Sequence, residues 1–175
     1  MEEKVETDTV ESKIRDRVRA SNFIHDVATT PRGRGVLACI QCGRCTGSCP
    51  IARLTEEHNP RRLIEEVILG LKWDVLFKLP WYCVSCFTCL DRCPAGGDVA
   101  EVMFAVRNLA VREGSIPKGM VDQAKTLLST GLIIPPSESM IEEREKQGLP
   151  KVTFSAEDAQ KILNKTGFSK IIEGR

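Results

Sequence analysis

Eight cysteines, all between Cys39 and Cys93, constrain this chain more than any other feature. They fall in two runs of the same spacing, CIQCGRCTGSCP (39–50) and CVSCFTCLDRCP (83–94), each of the form C-x2-C-x2-C-x3-C-P. An even number of cysteines can form disulfides, but disulfides persist mainly in oxidising compartments. The N-terminus, MEEKVETDTVESK, is acidic and polar, without the apolar segment of a secretory signal. The pattern therefore favours thiolates that bind metal.

The spacing is the one by which two-cluster ferredoxins give three cysteines of a run to one [4Fe–4S] cluster and the fourth to the other. Three cysteines two residues apart let the backbone wrap a cubane and reach three of its irons. The proline after the fourth cysteine disfavours the α conformation at that cysteine, which helps to turn it away from its own loop. We therefore predict two [4Fe–4S] clusters with crossed ligands: Cys39, Cys42, Cys45 and Cys93 for cluster 1, and Cys83, Cys86, Cys89 and Cys49 for cluster 2.

A pair of zinc sites is the main alternative to clusters. Paired C-x2-C segments are typical of structural zinc, which takes four ligands per site. Zinc has no use for the third cysteine of each triplet together with a fourth cysteine before proline. Clusters explain all eight positions, and a zinc-binding interaction module remains the alternative from a different functional class.

The charge of the chain excludes some partners. Among 175 residues, 25 lysines and arginines nearly balance 24 acidic residues, so the formal net charge is +1. Nucleic acid and anionic membranes attract strongly basic surfaces, and neither is expected to bind here. The apolar stretches are too short to span a bilayer. We expect a cytoplasmic protein that does not insert into a membrane.

Helical signals cover most of the chain, and no segment alternates at period two. A helix is predicted from Thr9 to Ala28. Asn59 and Pro60 are an N-cap and a first-turn proline, and they precede an apolar stripe of Leu63, Ile64, Val67, Ile68 and Leu71. Asp98 and Glu101 predict a capping box at the start of another helix.

Two further helices are predicted toward the C-terminus. One runs from Pro117 to Thr130 and is stopped by Gly131, and another opens at Ser155 with Asp158 as its capping partner. The chain is predicted to be mainly α. It is predicted to have an N-terminal extension that contains a helix (1–34), a segment that resembles the α-helical ferredoxin domain (35–135) and a C-terminal extension that docks partners or packs back on the domain (136–175).

The remaining polar residues give weaker signals. Arg44 and Arg92 lie inside the runs and could raise cluster potentials, or could simply be solvated. His25 and His58 are isolated in sequence and are not predicted as ligands. Ile40, Val84, Phe87 and Leu90 are expected to shield the clusters from water. The sequence contains no phosphate-binding loop, zinc-protease motif or nucleophile–base pair, so no substrate-converting site and no catalytic residue is predicted.

The spacing between the runs indicates which kind of two-cluster protein this is. Bacterial-type ferredoxins have a short spacer, whereas 33 residues with an amphipathic helix separate Cys49 from Cys83. On its two cysteine runs, the N-P-R-R helix start at 59–62 and the Trp81-Tyr82 lead into the second run, the chain resembles the C subunit of heterodisulfide reductase. The resemblance covers residues 35 to 135 well.

The resemblance implies an electron-transfer role within an oxidoreductase complex. In that family, the A subunit carries flavin and iron–sulfur clusters, and the C subunit passes its electrons on to the B subunit. The B subunit reduces the disulfide of coenzyme M and coenzyme B in methanogenesis. The expected partners are therefore the A and B subunits of heterodisulfide reductase, within a hetero-oligomer. A similar component of a sulfur-oxidation complex and a free shuttle ferredoxin are the alternative roles.

Overall fold

The structure is a computed structural model that describes residues 22–77, 79–151 and 155–173. No strand occurs within these ranges, which confirms the predicted mainly α class. The α-helices are α1 (Phe23–Thr29), α2 (Arg44–Gly47), α3 (Pro60–Ile68), α4 (Lys72–Phe77), α5 (Thr88–Asp91), α6 (Val99–Arg112), α7 (Lys118–Thr130), α8 (Glu138–Lys146), α9 (Glu157–Lys165) and α10 (Phe168–Glu173). Two 3₁₀ helices, Gly33–Ala38 and Leu79–Tyr82, lead directly into the two cysteine runs.

The chain divides into two compact units, one ending at Ser115 and the other beginning at Ile116. Both cysteine runs lie in the first unit. This division falls inside the segment 35–135 predicted as one domain, so the three-segment organisation stays a prediction. In the described residues, no helix is long and apolar enough to cross a membrane.

The core of the first unit is formed by apolar side chains of α1, the first 3₁₀ helix, α3, α4 and α6. Phe23 and Val27, one turn apart on α1, are both buried. The predicted helix from Thr9 to Ala28 is thus observed over its last turns, since residues 9–21 lie outside the described part. Burial of such side chains contributes about 1.5–3 kcal/mol each relative to exposure.

Helix α3 begins as the sequence predicts. The side chain of Asn59 accepts a hydrogen bond from the Arg62 amide at 3.0 Å, and Pro60 is the first helical residue. Of the predicted apolar stripe, Leu63, Ile64 and Val67 are buried, whereas Ile68 is 40% exposed and Leu71 lies beyond the end of the helix. Ile68 lies at the edge of the arc that these residues span, and the helix ends there.

Helix α6 packs one face into the core, where Val99, Val102, Met103 and Val106 are buried. The predicted capping box at its start is wrong. Asp98 makes no side-chain cap hydrogen bond. An N-cap side chain reaches the first turn from an extended backbone, whereas Asp98 is left-handed with φ +41°. Glu101 instead binds the exposed Arg32, with a distance of 3.0 Å between Nη1 and Oε2.

Two glycines before the first cysteine run allow a close approach of backbones. A Cβ at Gly33 would lie 1.8 Å from the Val27 carbonyl oxygen, and one at Gly35 would lie 2.3 Å from the Gly97 carbonyl oxygen. Separations below 3.0 Å are not tolerated by real Cβ atoms. The chain entering the first run is therefore packed against the segment that follows the second run.

In the second unit, α7 ends at Thr130 and Gly131 follows with φ +78°, as predicted. Gln160 of α9 donates to the Leu128 carbonyl at 2.8 Å. The capping pair predicted at Ser155 and Asp158 is wrong. Helix α9 begins at Glu157, whose amide donates to the Ser155 hydroxyl at 3.3 Å, and Asp158 forms an ion pair with Lys161.

The apolar end of the chain is partly buried within the second unit. Ile172 of α10 is only 4% exposed, whereas Ile134 in the connector after α7 is 78% exposed. That connector and α8 line an apolar groove formed by Leu132, Ile134, Pro135, Pro136, Met140, Ile141, Leu149 and Pro150.

Candidate iron–sulfur site

The two cysteine triplets fold into matching loops, which we name the first loop (39–45) and the second loop (83–89). The third residue of each loop has a left-handed backbone, with φ +57° at Gln41 and +56° at Ser85. Its amide donates to the first cysteine sulfur, over 3.5 Å from Gln41 to Cys39 and 3.4 Å from Ser85 to Cys83. Equal spacing in the sequence thus becomes equal backbone conformation in the structure.

A second left-handed residue follows in each loop, with φ +79° at Gly43 and +60° at Phe87. Glycine adopts this conformation freely, whereas a residue with a Cβ loses about 1–2 kcal/mol there. Backbones with such turns point successive amides into a concavity that binds anions, as in many iron–sulfur sites. The short helices α2 and α5 begin directly after these residues and carry the third cysteine of each triplet.

The fourth cysteine of the first run lies with the triplet of the second. One cavity is lined by Cys49 together with Cys83, Cys86 and Cys89, and its other walls are Ile51, His58, Pro60, Val84, Phe87, Ala100 and Met103. Cys49 is buried and Cys86 is exposed. This is the set of four thiols predicted for cluster 2.

The fourth cysteine of the second run points toward the first loop. The Gly97 amide donates to Cys93 Sγ at 3.1 Å. A Cβ built on Gly97 would lie 3.3 Å from that sulfur, 3.4 Å from the Gly35 oxygen and 4.0 Å from Cys39 Cα. Cys93 is therefore close to the start of the first loop, on the side predicted for cluster 1.

Burial and mutual repulsion act on the thiols at the centre of the site. Burial raises the pKa of Cys45 above its usual value. Burial, and then the neighbouring thiols of Cys83, Cys45 and Cys86, raise the pKa of Cys89 to about 11. A hydrogen bond with Thr88 lowers the pKa of Cys86. Crowded thiols of this kind lose their protons when a positively charged metal centre binds them.

The donor set fits a cluster. Six thiols in the two matched loops, together with Cys49 and Cys93, provide four soft ligands for each of two [4Fe–4S] centres. In the part of the chain that the structure describes, no three His, Cys, Asp or Glu side chains converge on a point where one metal ion would bind. The four ligands of a cubane each bind a different iron, so they surround a body and do not meet at a point.

The loops are held in place by different neighbours. Thr46, directly after the first loop, donates its hydroxyl to Asn59 Oδ1 at 2.8 Å and accepts the Arg61 amide at 2.9 Å. The second loop is bound by Arg107 of α6, which donates to the Cys83 carbonyl and also, at 2.8 Å, to the carbonyl of Pro80 just before the loop. Thr46 and Arg107 are site residues that the sequence does not indicate.

The other residues singled out in the sequence differ in their exposure. Ile40 and Val84, predicted as shields, are 65% and 59% exposed. Arg44 and Arg92 are exposed, as is His25. His58 is buried and lines the cavity of Cys49. Its place one residue before the N-cap of α3 is the one signal that could have brought it to attention.

The chain is similar in sequence to known iron–sulfur proteins. Residues 35–97 match the family model of a 4Fe-4S dicluster domain. The iron-sulfur C 2 subunit of CoB–CoM heterodisulfide reductase from Methanocaldococcus jannaschii is 37% identical over 131 residues, which are 74% of this chain and 69% of the relative. The iron-sulfur C subunit of the enzyme from Methanopyrus kandleri is 36% identical over 160 residues, 87% of this chain and 83% of the relative.

The chain belongs to the family of heterodisulfide reductase C subunits. A protein of Archaeoglobus profundus that is named for its likeness to this C subunit is also similar, at 34% identity over 144 residues that cover 78% of this chain and 76% of that protein. The relatives are subunits of heterodisulfide reductase, an oxidoreductase, and the dicluster match supports [4Fe–4S] clusters in this family member. The resemblance noted from the cysteine runs is confirmed.

Proposed function

We propose that this chain relays electrons through two [4Fe–4S] clusters, from an A subunit that carries flavin and iron–sulfur clusters to a disulfide-reducing B subunit. The complex is of the CoB–CoM heterodisulfide reductase type. The observation that carries this proposal is the cavity shared by Cys49 and the second triplet. Ligands exchanged between the runs require two centres to be close neighbours, and close neighbours are what electron hopping needs.

Each part of the chain has a task in this relay. When bound, the clusters accept and release single electrons. Cys39, Cys42, Cys45 and Cys93 hold one centre, and Cys83, Cys86, Cys89 and Cys49 hold the other. The amides of Gln41 and Ser85 donate to cysteine sulfur and stabilise its negative charge. The core helices α3 and α6 fix the distance between the loops.

The remaining parts of the proposal concern the surroundings of the clusters. The chain works in the cytoplasm within a hetero-oligomer and has no substrate-converting site of its own. The connector after α7 and helix α8, with their exposed Ile134 and apolar groove, support a docking role for the segment 136–175. The names of the methanogen relatives support the methanogenic complex over the sulfur-oxidising one.

Metal analysis of the anaerobically purified chain tests the cofactors. We expect about eight irons per chain and a broad visible absorbance that dithionite bleaches. A chain that contains zinc and has no visible absorbance would refute the relay and would indicate a zinc-binding interaction module.

Reconstitution with the A and B subunits tests the relay. We expect all three proteins to co-purify, and electrons entering at the flavin to reach the coenzyme disulfide only when this chain is present. The complex without this chain serves as the control and should still reduce its flavin. Equal disulfide reduction with and without the chain would refute the relay. A chain that stays monomeric beside these two partners would indicate a shuttle ferredoxin.

A further inference from the structure

One arginine of α6 binds three groups of the segment that enters the second loop. Arg107 donates from Nε to the Pro80 carbonyl at 2.8 Å, from Nη1 to the Ser85 hydroxyl at 3.2 Å, and from Nη2 to the Cys83 carbonyl. The fork of the guanidinium therefore spans the residues on both sides of Val84. Ser85 is the left-handed residue whose amide donates to the Cys83 sulfur.

Two aromatic rings fix the position of this guanidinium. Its Cζ lies 5.8 Å from the centroid of Trp81 and 5.7 Å from that of Phe104. Phe104 in turn stacks against Phe87 of the second loop, with centroids 5.9 Å apart. A planar guanidinium suits this place because it stacks on rings and donates in several fixed directions, which an ammonium group does not do.

No carboxylate balances the charge of Arg107 among the residues that the structure describes, since none of them forms an ion pair with it. The side chain is also partly buried. Water therefore screens its charge less than it screens the charge of the exposed Arg92.

The matching position of the first loop is occupied by a neutral group. Where the second loop has Ser85 bound to Arg107, the side-chain amide of Gln41 donates directly to Cys39 Sγ at 3.4 Å. The nearby Thr46 and Asn59, which hold the end of that loop, are also neutral.

The arginines close to the first loop differ from Arg107 in their surroundings. Arg44, within the loop, is exposed. Arg61, whose Cδ lies nearest to a Cβ built on Gly43, forms an ion pair with Glu65. The two loops thus share a backbone conformation, but the second is bound by an arginine that is partly buried and, within the described residues, not balanced by a carboxylate.

We propose that Arg107 is a positioning residue that holds the second loop in its ligand-binding conformation and raises the reduction potential of the centre bound there above that of the other. Reduction adds one negative charge, and a nearby fixed positive charge stabilises the reduced form. Net charge and hydrogen bonding around the ligands are among the factors that set the potential of iron–sulfur centres. The inference rests on cluster binding by the second loop, and not on the relay between the A and B subunits.

The test compares the full chain, purified with its clusters under anaerobic conditions, with Arg107→Gln and Arg107→Lys. Arg112→Gln is the matched control, because Arg112 lies on the same helix and is exposed. Iron content is measured first, and each cluster is then titrated by EPR at controlled potential. The rate of iron loss to a chelator reports how well the loop holds its cluster.

In Arg107→Gln we expect the reduction equilibrium of one cluster to fall about tenfold, a shift of about 59 mV for a one-electron couple, while the other cluster keeps its potential. Arg107→Lys keeps the positive charge but cannot make the three guanidinium hydrogen bonds. The potential of the second-loop cluster therefore stays near the wild-type value, while iron loss becomes several-fold faster. Arg112→Gln changes neither quantity.

Unchanged potentials in both Arg107 variants, or equal shifts of both clusters, would overturn the tuning role. Unchanged iron loss in Arg107→Lys would overturn the positioning role. If Arg107→Gln does not load iron, Arg107→Met, which also lacks the charge and keeps a long side chain, takes its place in the measurement of the potential, and Arg107→Lys still reports the rate of iron loss. A wild-type chain without iron would instead refute cluster binding itself, which separates that failure from this one.

Discussion

The first and second loops adopt the same backbone conformation with different residues and different neighbours. Both place left-handed backbone at the same two positions, yet the first uses Gly43 and the second Phe87 at the later one. The first loop is held from its end by the uncharged Thr46 and Asn59, and the second from its beginning by the charged Arg107. The spacing of cysteines therefore determines the shape of a ligand loop, whereas its neighbours determine the electrostatic surroundings.

The largest effect is expected where the two cysteine runs exchange ligands. Cys49→Ser should remove the cluster of the second loop, with loss of about four of about eight irons, because Cys49 lies with Cys83, Cys86 and Cys89. EPR and iron analysis measure this, and Cys93→Ser is the mirror variant. Loss of the signal of the Cys39–Cys45 cluster in Cys49→Ser would show that each run serves its own cluster.

A smaller effect is expected where the segment before the first run packs against the segment after the second run. Gly35→Ala should destabilise the chain by about 2 kcal/mol or more, because its Cβ would overlap backbone atoms of the Gly97 carbonyl, which cannot move aside as a flexible side chain can. Urea unfolding measures the loss. Gly47→Ala, with open space around its Cβ, is the control and should stay within about 0.5 kcal/mol. Equal stability of the two variants would contradict the close contact.

The neutral support of the first loop should have an intermediate effect. Thr46→Val removes the hydroxyl that joins Asn59 Oδ1 and the Arg61 amide, with an expected cost of about 1–2 kcal/mol. Iron loss should become faster at the first cluster only, as followed by EPR during chelation. Thr126→Val, which alters a hydroxyl bonded within its own helix, is the control. A faster loss at both clusters would mean that the support is shared.

The smallest effect concerns the left-handed residues. Gly43→Ala should cost about 1 kcal/mol, since only the backbone opposes it: the nearest atom to its Cβ would be Arg61 Cδ, at an ordinary 3.7 Å. Urea unfolding measures this change as well. Gly43→Asn should cost less, because asparagine tolerates this backbone better. A variant Gly43→Ala as stable as the wild type would show that the first loop does not need the conformation that Phe87 adopts in the second.

Local signals predicted the fold well where one residue acts on its own helix. Asn59 with Pro60 starts α3 and Gly131 ends α7, because a cap or a stop is completed within a few residues of chain. The same reasoning failed at Asp98 and Glu101. The Glu101 side chain that was predicted to complete the capping box instead accepts a hydrogen bond from Arg32, 69 residues away. Local sequence patterns contain no information on such a distant partner.

The sequence by itself determined that there are eight candidate ligands, that six of them lie in two loops of equal spacing, and that helices surround them. Spacing is enough for this, since three cysteines two residues apart shape a loop locally. The motif also predicted the exchange of fourth cysteines, and the tertiary structure brings Cys49 into the cavity of Cys83, Cys86 and Cys89. Only the tertiary structure places Arg107 beside the second loop and Thr46 beside Asn59. These contacts join residues far apart in the chain, and the packing of α3 and α6 decides which of them meet.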